Sequence, residues 1–289
     1  MGEIMGEIVA ATVLSHQPTI MAPEHVRAAI GGGRDTSLVP GFAQVRDALD
    51  RARPDTLVIF DTHWFTTIEH IVAGAGHYSG LYTSEELPTL IADYKYDFPG
   101  APELASAVAA VGSEKGVRIL NATTTGLGQH YPTLNMLHYL HRGEKVLVAG
   151  VCQTAEAHNF LDFGRCLAEA VRRTPGRVAL LAAGGMSHSF WPMDTILEHS
   201  SFDPQHVISP EARAFDERII ALWAEGNHAA VIDAYPEYRR FRPEGFFGHY
   251  LTMAGALGGR DFRGRGARMS EYENAVGTGQ VHVWFDLAA

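Results

Sequence analysis

The sequence predicts a single-domain α/β protein, in which a mostly parallel central sheet lies between two layers of helices. Three apolar, β-branched runs, at residues 8–14, 57–60 and 178–183, have the unbroken hydrophobicity of strands that are buried on both faces. Helical patterns separate these runs, as they do in parallel strand–helix–strand units. Open sheets of this kind bind ligands at the carboxyl ends of their strands, where we therefore expect the active site.

The size and composition of the chain fit one large domain. It has 289 residues, of which 46% are hydrophobic and 19% charged, so it can bury an extensive core. No repeat, low-complexity segment or linker divides the sequence. We therefore expect residues 1–289 to form a single domain.

The charge and the cysteine content limit the partners and the compartment. The formal net charge is −10 and the arginine-rich stretches are short, so nucleic-acid binding is disfavoured. No apolar run approaches the roughly 20 residues of a membrane span, and the N-terminus lacks the pattern of a signal peptide. Two cysteines, Cys152 and Cys166, are too few for a disulfide framework and fit a reducing cytoplasm.

In the first half of the chain, predicted strands alternate with helical segments. The strand at 8–14 is followed by helical spacing at 39–51, and a turn leads into the strand at 57–60. Residues 68–73 have the composition of a further strand. Ser84 is followed by two acidic residues, which is typical of a helix N-cap and first turn, so we expect a helix to begin there.

The second half of the chain continues this alternation. Pro102 suits the first position of a helix, and Gly258-Gly259 suits the end of one. The predicted helices span 102–115, 133–140, 159–173, 210–225, 228–235 and 244–257, and the predicted strands span 117–120, 145–151, 178–183 and 281–285.

Histidines follow the apolar strands. His16, His63 and His188 come just after three of these runs, and His130 ends the loop that follows a fourth strand. In a parallel sheet the four imidazoles would meet near one edge. Taken singly, each of the 15 histidines is better explained as a structural residue. Four histidines at one edge favour a functional site.

Two neutral imidazoles and one carboxylate can bind a metal ion and leave coordination positions open. This ligand set is typical of non-haem Fe(II) oxygenases, and zinc hydrolases use it as well. Glu244 follows Pro243 at a predicted helix start and is the candidate carboxylate, although an ordinary first-turn glutamate would have the same spacing. Asp61 lies two residues before His63 and is the better candidate for an outer partner of that imidazole.

Six short motifs, spread in order along nearly the whole chain, carry a family resemblance. They are Leu14-Ser15-His16-Gln17-Pro18, Phe60-Asp61-Thr62-His63-Trp64, Tyr82-Thr83-Ser84-Glu85-Glu86-Leu87-Pro88, Gly185-Met186-Ser187-His188, Glu244-Gly245 and Gly277-Thr278-Gly279-Gln280-Val281. This ordered set resembles the class III extradiol ring-cleavage dioxygenases, a family that includes the beta subunit of protocatechuate 4,5-dioxygenase. Within the family it is most similar to the homoprotocatechuate (3,4-dihydroxyphenylacetate) 2,3-dioxygenase type.

The resemblance implies a role for each matching residue. The implied Fe(II) ligands are His16, His63 and Glu244, the implied catalytic residues are His188 and His130, and the implied substrate contacts are His158 and Tyr131. Aromatic residues near these positions could form the walls of a pocket for an aromatic ring, although ordinary core packing explains any one of them better. These residues are Trp64, Tyr131, Phe190, Trp191, Phe246 and Phe247.

The implied reaction is the Fe(II)-dependent extradiol cleavage of a catechol by O2 to a muconic semialdehyde. The implied substrate is 3,4-dihydroxyphenylacetate or a similar substituted catechol. His188, with an ordinary pKa near 6.5, would take and return a proton at neutral pH. The resemblance also implies a homo-oligomer.

Several alternatives stay open on the sequence alone. The ring could be that of an aminophenol or a hydroxypyridone, and the same ligands could serve a zinc hydrolase. Arg240, Arg242 or His249 could bind a substrate carboxylate, although solvated surface explains the two arginines better. A relative without enzymatic activity is disfavoured by the complete set of ligand and catalytic residues.

Overall fold

Eight strands form the central sheet of this computed structural model, which describes residues 5–125, 127 and 129–287. In chain order the strands are β1 (Glu7–Leu14), β2 (Thr56–Thr66), β3 (His70–Ala73), β4 (His77–Tyr82), β5 (Tyr94–Pro99), β6 (Ile119–Ala122), β7 (Lys145–Cys152), β8 (Arg177–Ala183), β9 (Gly266–Arg268), β10 (Glu273–Ala275), β11 (Thr278–Gln280) and β12 (Val283–Phe285). The order across the sheet is β6-β3-β7-β2-β8-β1-β12-β9, while β4 with β5 and β10 with β11 form separate hairpins.

Helices cover both faces of the sheet. They are α1 (Glu24–Ile30), α2 (Leu38–Ala52), α3 (Pro102–Lys115), α4 (Tyr131–Leu140), α5 (Ala157–Arg173), α6 (Pro210–Ala224), α7 (His228–Tyr238) and α8 (Gly248–Ala256). Helices α2 and α4 share one hydrophobic cluster with the sheet, and α3, α5, α6, α7 and α8 share the other. Across the described part of the chain, no helix has the length and hydrophobicity needed to cross a bilayer.

The side chains of β2 divide between the two clusters. Val58 and Phe60 pack toward α5 and α8, whereas Leu57 and Ile59 pack toward α2 and α4. Successive side chains of a strand point to opposite faces, so a strand between two helical layers must be apolar at every position. This two-sided burial explains the unbroken apolar runs of the sequence and confirms the three-layer prediction.

The centre of the sheet is parallel. Strands β7, β2, β8 and β1 lie side by side and pair in parallel, so their carboxyl ends lie at the same edge. The flanks are mixed, because β12 and β9 pair antiparallel beyond β1 and β3 pairs antiparallel with β7. The predicted mostly parallel sheet is thus confirmed, with antiparallel strands confined to its sides.

Most predicted elements are confirmed, and two predicted helix starts are wrong. The prediction for 102–115 agrees with α3 at both ends. At Ser84 no helix forms: the residue lies between β4 and β5, and its hydroxyl accepts the amide of Leu87, which closes a single turn. The short-range helix signal is overruled because the chain on either side pairs as a hairpin.

The helix predicted at 244–257 begins later, at Gly248. Between Glu244 and Gly248 the backbone is left-handed at three successive residues, with φ of 53° at Gly245, 58° at Phe246 and 60° at Phe247. A left-handed residue interrupts a right-handed α-helix, so Glu244 lies outside α8, at the start of a left-handed bend.

Candidate metal centre

A bulge in β2 carries His63. In the pairing of β2 with β7, Asp61 lies opposite Gly150 and Phe65 lies opposite Val151, so the three residues 62–64 have no partners. The bulged backbone lies over Gly150, where a Cβ atom would come within 2.5 Å of the Trp64 carbonyl oxygen. Bulges of this kind redirect side chains next to functional sites. The strand therefore does not end at Phe60 as predicted; it continues to Thr66 through the bulge.

His16 follows β1, which is separated from β2 by β8, and it is held through its backbone. The Asn135 amide nitrogen donates to the His16 carbonyl at 2.7 Å, which ties this residue to α4. The preceding amide, that of Ser15, donates to Nδ1 of His282 at 3.1 Å. The His16 side chain is only 3% exposed, and its Nδ1 has no hydrogen-bond partner among the described residues.

Glu244 reaches the same edge from the bend before α8. Its amide donates to the Met186 carbonyl at 3.0 Å, which joins the bend to the loop after β8. The Gly185 amide donates to Oε2 of the carboxylate, and the Thr62 hydroxyl donates to Oε1 at 3.1 Å. A Cβ atom at Gly245 would lie 2.6 Å from Cγ2 of Thr62, so the bend packs directly on the β2 bulge.

These three elements bring His16, His63 and Glu244 together. Nε2 of His16 lies 2.9 Å from Oε1 of Glu244, and Nε2 of His63 lies 3.2 Å from the same oxygen. All three ligand atoms lie within 4.8 Å of one another. A metal ion with bonds of about 2.1 Å at right angles separates neighbouring ligand atoms by about 3.0 Å. The donor set and its spacing therefore fit a metal ion bound on one face, with further coordination positions open.

The electrostatics of the cluster favour a positive charge between these residues. Burial opposes ionisation of Glu244, but the imidazoles of His16 and His188 outweigh it and hold the pKa of this carboxyl well below its usual range. Burial also opposes a charge on His63, yet the carboxylates of Glu244 and Glu86 raise the pKa of His63 to about 10. A buried carboxylate requires a cation nearby, and a metal ion supplies one.

Three residues around His63 fix its orientation. Oδ1 of Asp61 accepts the His63 amide at 2.8 Å, and Oδ2 accepts the amide and the hydroxyl of Thr133 on α4. Asp61 thus orients the bulge through its backbone, in agreement with its predicted place outside the ligand set. Oε1 of Glu86 lies 3.3 Å from Nδ1 of His63. Partners of this kind leave Nε2 of a histidine free for a metal.

Tyr131, predicted to contact the substrate, lies at the metal centre. It begins α4, and its hydroxyl lies 3.2 Å from Nε2 of His63 and donates to Glu86 at 3.2 Å. Burial and the neighbouring carboxylates raise its pKa, so Tyr131 keeps its proton and can donate it in a hydrogen bond.

His188 lies beside Glu244 at the wall of a cavity. Its Nε2 is 3.8 Å from Oε1 of Glu244, and burial lowers its pKa below the ordinary value that the sequence led us to expect. The cavity has a volume of about 420 Å³. It is lined by Phe65, His188, Tyr235, Arg239, Arg242, Pro243, Glu244, Gly245 and Phe246. A neutral imidazole at this wall can accept a proton from a bound molecule.

A buried carboxylate holds the loop that carries His188. Asp216 accepts the amide and the hydroxyl of Ser187, with the hydroxyl at 2.7 Å. It also accepts the hydroxyls of Tyr238 and Tyr272, each at 2.6 Å. Burial raises the pKa of Asp216 to about 6, although these hydroxyl donors act in the opposite direction. The loop is therefore tied to α6, to the end of α7 and to the segment before β10.

Two predicted site residues are not brought into this cluster. His130 is half-buried and precedes α4, and within the described residues its ring makes no hydrogen bond to the metal ligands; residues 126 and 128 of its loop lie outside the described part. His158 is exposed near the start of α5. It lines a different cavity, together with Cys152 at the end of β7 and Asp162 on α5.

The predicted aromatic walls are only partly found. Phe246 lines the cavity, and the ring of Phe190 lies 4.9 Å from that of His188. Trp64 and Phe247 belong to the two hydrophobic clusters, whereas Trp191 stacks on His199 at 3.7 Å. Ordinary packing thus accounts for these last three residues.

Sequence reasoning missed several residues of the site. Glu86 lies in a motif that carries the family resemblance, so the sequence contains a signal for it, but the same segment also has the pattern of a helix start. Phe65, Tyr235 and Arg239 line the cavity without any motif of their own. Only the fold brings β2 and α7 together around His188.

Comparisons with known proteins find relatives that are ring-cleaving dioxygenases. Over 266 residues the chain is 27% identical to 3,4-dihydroxyphenylacetate 2,3-dioxygenase from Escherichia coli, covering 90% of this chain and 94% of the relative. It is 24% identical to the beta subunit of 2-aminophenol 1,6-dioxygenase from a Pseudomonas species, covering 98% of this chain and 95% of that subunit.

A solved structure has the same fold. The uncharacterized protein JW3007 from Escherichia coli K12 superposes with a TM-score of 0.64 at 18% identity, covering 96% of this chain and all of that one. At the level of families, residues 10–285 match the catalytic LigB subunit of aromatic ring-opening dioxygenase. With a match over nearly its whole length and a His-His-Glu cluster at the sheet edge, the chain belongs to this family of class III extradiol dioxygenases.

Proposed function

We propose that the protein is an Fe(II)-dependent extradiol dioxygenase that cleaves a substituted catechol with O2 to a muconic semialdehyde, and that residues 1–289 act as one catalytic domain. The observation that carries the proposal is the cluster of His16, His63 and Glu244 beside a cavity with His188 at its wall. Two imidazoles and one carboxylate on one face, with open positions opposite, are the ligand set of non-haem Fe(II) oxygenases.

Each residue of the site has a part in the proposed reaction. His16, His63 and Glu244 would hold Fe(II), which when bound supplies positions for two catechol oxygens and O2 and a path for electrons between them. His188 is neutral at pH 7 because burial lowers its pKa, so its Nε2 can accept a hydroxyl proton and later return it. The Tyr131 hydroxyl can donate a hydrogen bond at the metal side, and Phe246 shields the ring from water.

The substrate of a relative supports the choice of ring. The Escherichia coli relative is a 3,4-dihydroxyphenylacetate 2,3-dioxygenase, so this catechol or a close analogue is the first substrate to test. A 2-aminophenol is the second candidate, because the beta subunit of a 2-aminophenol dioxygenase aligns over 98% of the chain. An assembly of identical subunits stays a prediction.

An oxygen-uptake assay tests the proposal. The protein is loaded anaerobically with Fe(II), mixed with 3,4-dihydroxyphenylacetate, protocatechuate or 2-aminophenol, and then exposed to air. We expect one O2 to be consumed for each ring that opens, with a yellow product, and no reaction in a zinc-loaded control. Tight zinc binding without O2 uptake across the whole panel would instead favour the zinc hydrolase.

A further inference from the structure

The cavity beside His188 combines an apolar wall with guanidinium groups. Phe65, Tyr235 and Phe246 present aromatic surface, with Phe65 52% and Phe246 40% exposed. Arg239 and Arg242 line the same cavity. Glu244 is the acidic residue of the lining, and both of its oxygens are engaged at the metal centre. A ring carrying a negative substituent is the complement of this lining.

The three neighbouring arginines differ in their partners. Arg239 is paired with Glu156 at 3.0 Å. Arg240 lies 3.3 Å from Glu237 and stacks over the ring of Phe241 at 4.7 Å, and it is not part of the cavity wall.

For Arg242, no carboxylate lies within ion-pair distance in the described part of the chain, although the residue lines the cavity. It is therefore the cavity arginine whose charge is available to a bound molecule.

The backbone ties Arg242 to the metal centre. Arg242 is left-handed, with φ of 51° and ψ of 56°, and its amide donates to the Arg239 carbonyl at 3.0 Å. Pro243, whose ring restricts φ, is the one residue between Arg242 and Glu244. A non-glycine residue in this conformation costs about 1–2 kcal/mol, so the surrounding structure must impose it. The guanidinium thus extends from a constrained backbone position two residues before Glu244.

We propose that Arg242 is a specificity-determining residue, which binds a carboxylate substituent of the catechol while the ring lies between Phe246 and the metal centre. This inference rests on the proposed function and adds the residue that recognises the carboxylate side chain of such a catechol. A guanidinium can bind a carboxylate through two parallel hydrogen bonds, which would fix the orientation of the ring as well as its affinity.

The test compares one acidic catechol with its uncharged ester. The pair is 3,4-dihydroxyphenylacetate and its methyl ester, and the variants are Arg242→Gln and, as a matched control, Arg240→Gln. Binding is measured by calorimetry on the zinc-loaded protein, which cannot turn over, and kcat/KM is measured with Fe(II) and O2. Because Arg242 is exposed, we expect a loss of about 5- to 30-fold in affinity and kcat/KM for the acid in Arg242→Gln. The ester should be unaffected, and Arg240→Gln should behave as the wild type.

The charge-reversed variant Arg242→Glu gives a second, independent measurement. It should bind a catechol with an aminoethyl side chain more tightly than the wild type does, and reject the acid. Equal losses for acid and ester in Arg242→Gln, or a selective loss in Arg239→Gln alone, would overturn the inference. If the zinc-loaded protein binds the acid selectively through Arg242 but the iron-loaded protein consumes no O2, the proposed function fails while the carboxylate site stands.

Discussion

Glu244 gives its two carboxylate oxygens to different partners. Oε2 accepts the Gly185 amide, which leaves Oε1 to face His16 and His63. A carboxylate held in this way presents one oxygen to a metal ion and cannot rotate without losing a buried hydrogen bond. The geometry of the site thus depends on backbone groups as much as on the three ligand side chains.

At the same scale, His63 and His188 should respond differently to substitution. Under the proposed function, His63→Ala removes a ligand atom 3.2 Å from Glu244, so we expect the variant not to retain Fe(II). His188→Phe leaves the three ligands intact and should keep the iron while losing most turnover, about 10²- to 10⁴-fold for a lost acid–base group. Metal analysis of the purified variants, together with oxygen uptake, measures both. Stoichiometric iron in His63→Ala would contradict the ligand assignment.

At the scale of elements, the centre is the meeting point of a bulge and a bend. The β2 bulge supplies His63 and Thr62, and the left-handed bend supplies Glu244. Gly245 lies at their contact, because it has no Cβ to collide with Thr62 and because it adopts a positive φ without strain. Neither feature belongs to regular secondary structure, so periodicity in the sequence carries no sign of them.

Gly245→Ala should therefore weaken metal binding. The added methyl group would lie 2.6 Å from Cγ2 of Thr62 and push the bend away from the bulge. We expect the dissociation constant of the metal to rise about 10- to 100-fold, the range for losing an outer partner of a metal ligand.

The matched control is Gly116→Ala. Gly116 has a φ of 71° and open space around the Cβ position, so its substitution should lower stability and leave metal affinity unchanged. Competition with a chelating dye gives the metal dissociation constants of both variants. Equal metal affinity in the two variants would mean that the contact of bulge and bend does not set the ligand spacing.

At the scale of the whole molecule, buried histidines make stability depend on pH. His228 is fully buried, with Nδ1 2.8 Å from the Tyr250 hydroxyl and Nε2 2.8 Å from the Gly264 carbonyl. Burial lowers the pKa of His228 to about 4 and that of His282 to about 3. Each is neutral in the folded protein and gains a proton more readily when unfolded.

The free energy of unfolding should therefore fall as the pH drops from about 6.5 to about 4. A pKa lowered from 6.5 to about 4 corresponds to at most about 3 kcal/mol for His228, present above pH 6.5 and lost on acidification. The raised pKa of Asp216 acts in the opposite sense, adding stability at low pH that is lost as the pH rises through about 6.

Urea unfolding at pH 7 and pH 4.5 measures the net effect of these groups on the free energy of unfolding. His228→Gln should lower stability at pH 7 but make it less dependent on pH, whereas His25→Gln, at an exposed position, should change neither. An unchanged pH dependence in His228→Gln would contradict this explanation.

The sequence by itself determined the layers of the fold and indicated the candidate residues of the metal centre. Apolar runs buried on both faces require helices above and below the sheet, and parallel strands place His16 and His63 at one edge. These features depend on local composition and on a general rule of topology, so they can be predicted from one chain. The motifs of the family then identified Glu244 and His188.

Only the tertiary structure decided how these residues meet. The bulge at 62–64, the bend at Glu244 and the ties from Glu86 and Asp216 are contacts between segments far apart in the chain, and no local pattern specifies such contacts. The same holds for Arg242, which the sequence offers as a possible carboxylate-binding residue but explains better as solvated surface. Its place in the cavity wall follows from the packing of α7 and the bend against the sheet edge. Contacts between segments far apart in the chain decide which side chains share a cavity, and the spacing of residues along the sequence does not.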